Sequence, residues 1–193
     1  PLIPHEWVGA NGIFCVSTTI GNFTTAIADV RRIQGEDHAW SGSNIYAEIS
    51  LNEALDTLRI HSWQSFSGYS SIFYRASFNF SSDEQQRLLI KEMSKFGTNS
   101  ERVMASKIEN KEMEHFQENK PFVLDLVVNA GELVDRAGNK VLVKIGEIIG
   151  PQVEMYQEKQ RQFDIDVNFP HVLARTIEFI IPEGYKVKNP DDL

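Results

Sequence analysis

Residues 44–61, with the sequence NIYAEISLNEALDTLRIH, decide the fold class of this chain. The first half alternates polar residues with the apolar residues Ile45, Ala47, Ile49 and Leu51. A period of two is typical of a strand that buries one face. Residues 52–56 supply a turn, and the alternation resumes at Leu58 and Ile60. We therefore predict a β-hairpin here.

Strand patterns continue on both sides of this hairpin. Short apolar bursts with many Thr, Ser and Gly residues cover residues 12–34. Further strands are predicted at residues 102–110, 121–128, 140–145, 163–169, 174–181 and 185–188, several of them joined by Gly or Pro turns. Because these strands do not alternate regularly with helices, a doubly wound parallel fold is disfavoured.

One helix is clearly marked. Ser82, followed three residues later by Gln85, forms a capping-box pattern, and an apolar stripe of Leu88, Leu89, Met93 and Phe96 leads to Gly97. The preceding segment, residues 69–80, fits both a strand period and one helical face. Periodicity leaves these two alternatives open.

These elements predict a β-rich α+β fold, either an antiparallel β-sandwich or a curved sheet with one or two helices packed near residues 69–97. We treat residues 1–193 as a single domain. A division into a helix-containing subdomain, residues 1–110, and a sheet subdomain, residues 111–193, stays open. The opening Pro1 and the turn before Leu193 suggest a piece of a longer protein.

Charge and composition exclude several classes of function. The 193 residues carry a formal charge of −8, which argues against binding to a nucleic-acid backbone. No apolar run reaches the roughly 18 residues of a membrane helix, so direct membrane insertion is not expected. A single cysteine excludes an internal disulfide.

The residues that could carry chemistry show no motif. Cys15 lies in an apolar Ile-Phe-Cys-Val run, which predicts a buried, inert thiol. The histidines, His5, His38, His61, His115 and His171, are scattered and lack metal-ligand spacing. Asp164 and Asp166 share a strand face, where solvated carboxylates are favoured over a calcium site. We predict no catalytic, cofactor-binding or metal-binding residue, and no cofactor.

The tryptophans raise the alternative of a sugar-stacking surface. Trp40 lies in the loop-like stretch His-Ala-Trp-Ser-Gly at residues 38–42. A partly buried aromatic side chain that closes the core is the favoured role. If the chain binds glycans through this residue, Trp40→Ala abolishes that binding.

Several segments carry a family resemblance: GPQVEMY at residues 150–156, Arg161, FDIDVNFP at residues 163–170, RTIEFIIPEGY at residues 175–185, and GYSSIFYR at residues 68–75. Together they resemble the region that follows the catalytic domain in bacterial transglutaminase-like envelope proteins. The resemblance covers most of residues 44–190. It favours a helix near Arg75, joined to the capped helix.

The resemblance implies a non-catalytic accessory domain of unknown molecular function rather than an enzyme. Its expected partner is an upstream papain-like transglutaminase domain of the same chain, and its expected location is the periplasm or cell surface. The family's Cys-His-Asp triad belongs to that other domain, and no segment here matches it. The alternatives are a carbohydrate-binding or adhesin-like surface module and an enzyme built on Cys15 or a serine.

Overall fold

The structure is a computed structural model that describes residues 3–95, 102–150, 158–163, 165 and 167–188. Its strands are β1 (Asn11–Ile20), β2 (Phe23–Arg32), β3 (Gly42–Leu51), β4 (Leu58–Phe66), β5 (Arg102–Glu109), β6 (Phe122–Ala130), β7 (Val134–Ala137), β8 (Lys140–Val143) and β9 (Val172–Ile180). Its α-helices are α1 (Tyr69–Phe80) and α2 (Asp83–Met93). This composition confirms the predicted β-rich α+β class.

Five strands form the main sheet in the order β5-β6-β4-β3-β9. Neighbouring strands are antiparallel except β3 and β9, which run parallel. The predicted hairpin is confirmed as β3 and β4, with Ile49 opposite Ile60. The sheet takes β3, β4 and β5 from before residue 111 and β6 and β9 from after it. It therefore crosses the boundary between the two subdomains that the sequence left open.

The core lies on one face of this sheet. Strand β6 buries alternate side chains over its whole length, from Phe122 to Ala130. Phe78 of α1 and the half-buried Leu89 of α2 join the same apolar cluster, as do Val134 of β7 and Val143 of β8. Of the two predicted architectures, the structure thus shows a sheet covered by helices, with the small β7–β8 hairpin completing the second layer.

Both α-helices lie within residues 69–97, where the sequence predicted one or two helices. Residues 69–80, which periodicity left ambiguous, form α1. Helix α2 starts at the predicted capping box, in which Gln85 N–H donates to Ser82 Oγ over 3.4 Å and Ser82 N–H donates to Gln85 Oε1 over 2.9 Å. The predicted apolar stripe is partly wrong, because Leu88 is exposed while Ile90 packs on the core. Phe96 and Gly97 lie outside the described residues.

Two predicted strands are not observed. Phe163, Ile165 and residues 167–169 have no strand assignment, although their alternation is regular. Residues 185–188 likewise follow a turn without pairing. A strand needs a hydrogen-bonded neighbour as well as a pattern, and β9 at the sheet edge pairs only with β3 among the described strands.

Strands β1 and β2 form a separate two-stranded hairpin, residues 11–32, which we call the arm. Its two-residue turn begins at Gly21, whose φ of +63° suits the tight turns that join such strands. The side chains of Ile13 and Phe23 are 72% and 68% exposed, respectively. The arm is therefore not part of the core.

Within the described part of the chain, no helix is both long enough and apolar enough to cross a membrane.

Candidate functional site

The first candidate surface is the sheet face opposite the core, which we call the outer face. It carries a group of aromatic and ionisable side chains from four adjacent strands: Tyr46 and Glu48 of β3, His61 and Trp63 of β4, Asp125 of β6 and Glu178 of β9. Strand geometry places them together, because alternate residues point to the same face and these residues lie at directly opposed or diagonal positions.

The side chains of the outer face contact one another. The rings of Tyr46 and Trp63 have centroids 5.3 Å apart, and those of His61 and Trp63 are 3.6 Å apart. His61 Nε2 lies 2.8 Å from Asp125 Oδ1, and Tyr46 Oη donates to Glu178 Oε2 over 2.5 Å. The result is a continuous row of rings with a carboxylate at each end.

The electrostatics of this row follow from its hydrogen bonds. The pKa of Tyr46 is raised above its ordinary value, chiefly because its hydroxyl donates to Glu178 and further because of partial burial and the charges of Glu178 and Glu48. On neighbouring β5, the pKa of Lys107 is raised by its hydrogen bond to Glu109. Rings beside carboxylate acceptors can stack on a flat ligand and accept hydrogen bonds from hydroxyl or amide groups.

The second candidate is a cavity of 290 Å³ beside the base of the arm, which we call the aromatic cavity. Its inner wall is formed by Trp40, Tyr69 and Phe116, and its rim by Gln34, Glu36 and Gln117. The centroids of the three rings are 5.1–6.1 Å apart, and the ring planes are inclined by 52–83° to one another. Inclined rings form a corner rather than a closed stack.

Local backbone chemistry positions this corner. Gly68, which precedes α1, has a φ of +51°, and a Cβ there would lie 2.5 Å from the Trp40 carbonyl oxygen. Only glycine allows the chain to pass Trp40 so closely and start a helix at Tyr69. Asn119 accepts from Gly68 N–H over 2.9 Å and donates to the Trp40 carbonyl over 3.2 Å. The cavity wall is thus held by contacts between three distant segments.

A fully buried arginine holds the segment that carries Phe116. Arg75 of α1 donates to the carbonyl oxygens of Asn110, Glu112 and Lys120 and to Ser71 Oγ. Burial lowers the pKa of its guanidinium, partly offset by the charge of Glu112. No local motif in the sequence marks this role. A signal was present, because Arg75 lies on the same helical face as Ser71 and Phe78, where a charged residue is unusual.

The third candidate surface is the arm itself, and here one prediction was wrong. Cys15 was expected to be buried, yet it is exposed in the middle of β1. The apolar residues around it predict a strand correctly but do not place it in the core, since no second layer of the described structure covers the arm. The apolar residues of the arm therefore form an exposed surface rather than part of the core.

The histidines lie apart and have different partners. His61 pairs with Asp125, His115 lies between Glu112 and Glu118, His5 and His38 contact the neighbouring acids Glu6 and Asp37, and His171 lies against the Phe169 carbonyl. Among the described residues, Cys15 has no hydrogen bond to any of them. Among the described residues, the histidine ring nitrogens contact carboxylates or a backbone carbonyl, and none of these contacts is the hydrogen bond to a nucleophile that the enzyme hypothesis requires.

Metal-ligating side chains do not gather in the described ranges, where no group of three or more His, Cys, Asp or Glu residues is arranged to hold an ion. The sequence raised Asp164 and Asp166 as a possible calcium site. Both residues lie outside the described residues. Trp40 is half-buried between Tyr69 and Phe116, in the packing role that the sequence favoured.

The row on the outer face was not predicted as a unit. The polar positions of β3 and β4 were visible as the second half of each alternation. Their contacts with Asp125 and Glu178 depend on the pairing of β4 with β6 and of β3 with β9, which sequence spacing does not reveal.

Comparison of the chain with protein-family models, with curated proteins and with solved structures found no match.

Proposed function

We propose that this chain is a non-catalytic accessory domain of a bacterial transglutaminase-like envelope protein, and that the arm docks it onto the papain-like domain of the same polypeptide. The observation that carries the proposal is the arm: a hairpin with exposed apolar side chains on both faces. The resemblance of residues 68–75 and 150–185 to the accessory region of that family supplies the identity of the neighbour.

The part of the arm beyond its charged base, residues 13–28, has the composition of an interface that a partner covers. Residues 13–28 contain no charged residue and no histidine, although a quarter of the chain is charged. Exposed apolar patches of this kind mark interaction sites, and obligate interfaces are the most apolar class. A two-stranded ribbon alone is also only marginally stable in water, so a covering partner stabilises it.

The two faces of the arm favour insertion into a neighbour over pairing with a second copy. Val16 and Ile27 are directly opposed on one face, and Ile13 and Val30 are directly opposed on the other. All four side chains are exposed. A two-fold dimer that stacks one face of each arm covers only half of this apolar surface. A neighbouring domain that receives the arm between two layers covers both faces.

The accessibility of Cys15 tests this docking. In the isolated chain, we expect Cys15 to react with maleimide at the rate of the unfolded chain, because the thiol is exposed. In the longer polypeptide that includes the papain-like domain, we expect protection of at least about tenfold, identified on the Cys15 peptide by mass spectrometry. Equal reactivity in both proteins contradicts the docking.

A substitution provides the matched control. Ile27→Asp places a charge on the docking face, so it should lower the melting temperature of the longer polypeptide and leave that of the isolated chain nearly unchanged. Acyl-transfer activity should require the papain-like domain and be absent from the isolated chain. Stable dimers of the isolated chain in sedimentation experiments, dispersed by Ile27→Asp, would instead assign the arm to self-association.

A carbohydrate-binding module is the second candidate function, and the outer face is the observation that favours it. Tyr46 and Trp63 offer adjacent rings, and Asp125 and Glu178 offer acceptors for sugar hydroxyl groups. On a glycan array, this function predicts binding that Trp63→Ala abolishes. Trp7→Ala is the control, because Trp7 is exposed and lies outside the sheet.

A further inference from the structure

We propose that the aromatic cavity is a binding site for an organic cation, an ammonium head group held against the corner formed by the rings of Trp40, Tyr69 and Phe116, with the carboxylate of Glu36 at the rim. This inference does not depend on the proposed function, because the arm and the cavity are different surfaces. The cavity is proposed to bind a small ligand, whereas the arm is proposed to bind a neighbouring domain.

The lining of the cavity selects for positive charge. Aromatic faces attract cations through the ring quadrupole, most strongly where water is excluded. Tyr69 and Phe116 are only 8% and 5% exposed, so little of either ring is in contact with water. The Tyr69 hydroxyl already donates to the Ile3 carbonyl over 2.7 Å and is therefore not free to bind an anion.

Glu36 provides the counter-charge. It lies at the exposed rim, and its carboxylate has no cationic partner among the residues that the structure describes. The negative charge of Glu36 also acts on the inner wall. The pKa of Tyr69 is raised, first by burial and second by the charge of Glu36. No lysine, arginine or histidine of the described chain lines the cavity. An anionic ligand would therefore meet the like charge of Glu36, and no cationic side chain of the described lining would offset it.

The size of the cavity limits the ligand. Its volume of 290 Å³ lies near the lower end of the range for ligand pockets, about 300–1,000 Å³. A nucleotide or a larger cofactor would extend beyond this volume. A quaternary ammonium head group or the end of a lysine side chain does, and the amide oxygens of Gln34 and Gln117 can accept hydrogen bonds from a primary ammonium.

The test compares a cation with its neutral analogue of the same shape. We would titrate the chain with choline, with n-butylammonium and with uncharged 3,3-dimethyl-1-butanol, following tryptophan fluorescence and amide chemical shifts at constant ionic strength. The titration is run at one fixed pH near 8, so that the charge state of the protein is the same for all three ligands. Both cations should saturate the site, and the better one should bind about tenfold more tightly than the neutral analogue.

Glu36→Gln should weaken cation binding about fivefold, by removing one exposed carboxylate near the ligand. Glu53→Gln, which removes an equal charge in the turn between β3 and β4, should leave binding unchanged. Tighter binding of choline identifies a quaternary head group, and tighter binding of n-butylammonium identifies a lysine-type side chain. Absence of saturation, equal binding of the neutral analogue, or unchanged binding by Glu36→Gln overturns the proposal.

Discussion

The two long hairpins of this protein have strands of similar length but differ in burial. Both β1–β2 and β3–β4 consist of strands of nine or ten residues joined by short turns. In β3–β4, one face is buried under helices, and the other carries the aromatic and charged row of the outer face. In the arm, both faces carry exposed apolar side chains. The comparison shows that strand formation is local, whereas burial depends on what the rest of the fold brings to the strand.

The largest expected difference in stability is between substitutions of two phenylalanines, one in the core and one in the arm. Phe122 of β6 is fully buried, and its ring lies within 5.4–6.4 Å of the rings of Phe66, Tyr74 and Phe78. Phe122→Ala should therefore lower the free energy of unfolding by about 3–5 kcal/mol. Phe23→Ala, at the tip of the arm, should change it by less than about 0.5 kcal/mol. Urea unfolding of both variants measures the difference, and equal losses would show that the arm belongs to the core.

The next comparison uses two arginines. Arg75→Leu leaves the carbonyl oxygens of Asn110, Glu112 and Lys120 without a donor, so we expect a loss of about 2–4 kcal/mol of unfolding free energy. Arg31→Leu removes an exposed arginine whose guanidinium contacts Asp29 and should cost less than about 1 kcal/mol. Chemical denaturation compares the two variants. If Arg75→Leu proves neutral, water rather than Arg75 satisfies those carbonyl groups.

Two glycines with left-handed φ sharpen the comparison further. Gly68→Ala adds a Cβ that would lie 2.5 Å from the Trp40 carbonyl oxygen, whereas the same change at Gly21 meets no atom within 4 Å. Backbone strain should cost each variant about 1 kcal/mol. Gly68→Ala should lose roughly 1–2 kcal/mol more, since Trp40 must move. Thermal melting tests this order, and Gly68→Ala alone should also alter tryptophan fluorescence.

The smallest expected effect is a dependence of stability on pH, which arises at the turn of the β3–β4 hairpin. The pKa of Asp56 is lowered because its carboxylate accepts hydrogen bonds from Asn52 Nδ2 and Thr57 Oγ1, over 2.8 Å and 2.9 Å. A lowered folded-state pKa stabilises the fold above the unfolded value, about 3.9 for aspartate, and this contribution is lost as the pH falls through the folded value.

Asp56→Asn should therefore lower the melting temperature slightly at pH 7, and the difference from the wild-type protein should shrink in acid. Glu53→Gln in the same turn removes the same charge and no hydrogen bond of the described structure, so it is the control. A difference between Asp56→Asn and the wild type that does not change with pH would show that the turn does not depend on the ionised carboxylate.

Much of the fold was predictable because its signals are local. The alternation of Ile45, Ala47 and Ile49 predicted β3, and the pair Ser82 and Gln85 predicted the start of α2. The candidate surfaces were less predictable. Tyr46 meets Glu178 across 132 positions of sequence, and Trp40 meets Phe116 across 76, so no window along the chain contains either pair.

By itself, the sequence determined the β-rich class, the capped helix, most strand positions and the acidic charge, because hydrogen-bonding patterns and side-chain periodicity act within a few residues. Only the tertiary structure decided that Phe163, Ile165 and residues 167–169 form no strand, that Cys15 is exposed, and that the side chain of Arg75 is fully buried. It also resolved the ambiguous periodicity of residues 69–80 as a helix. Each of these outcomes depends on whether a distant segment covers or pairs with the residue, and burial is a property of that contact rather than of the residue alone.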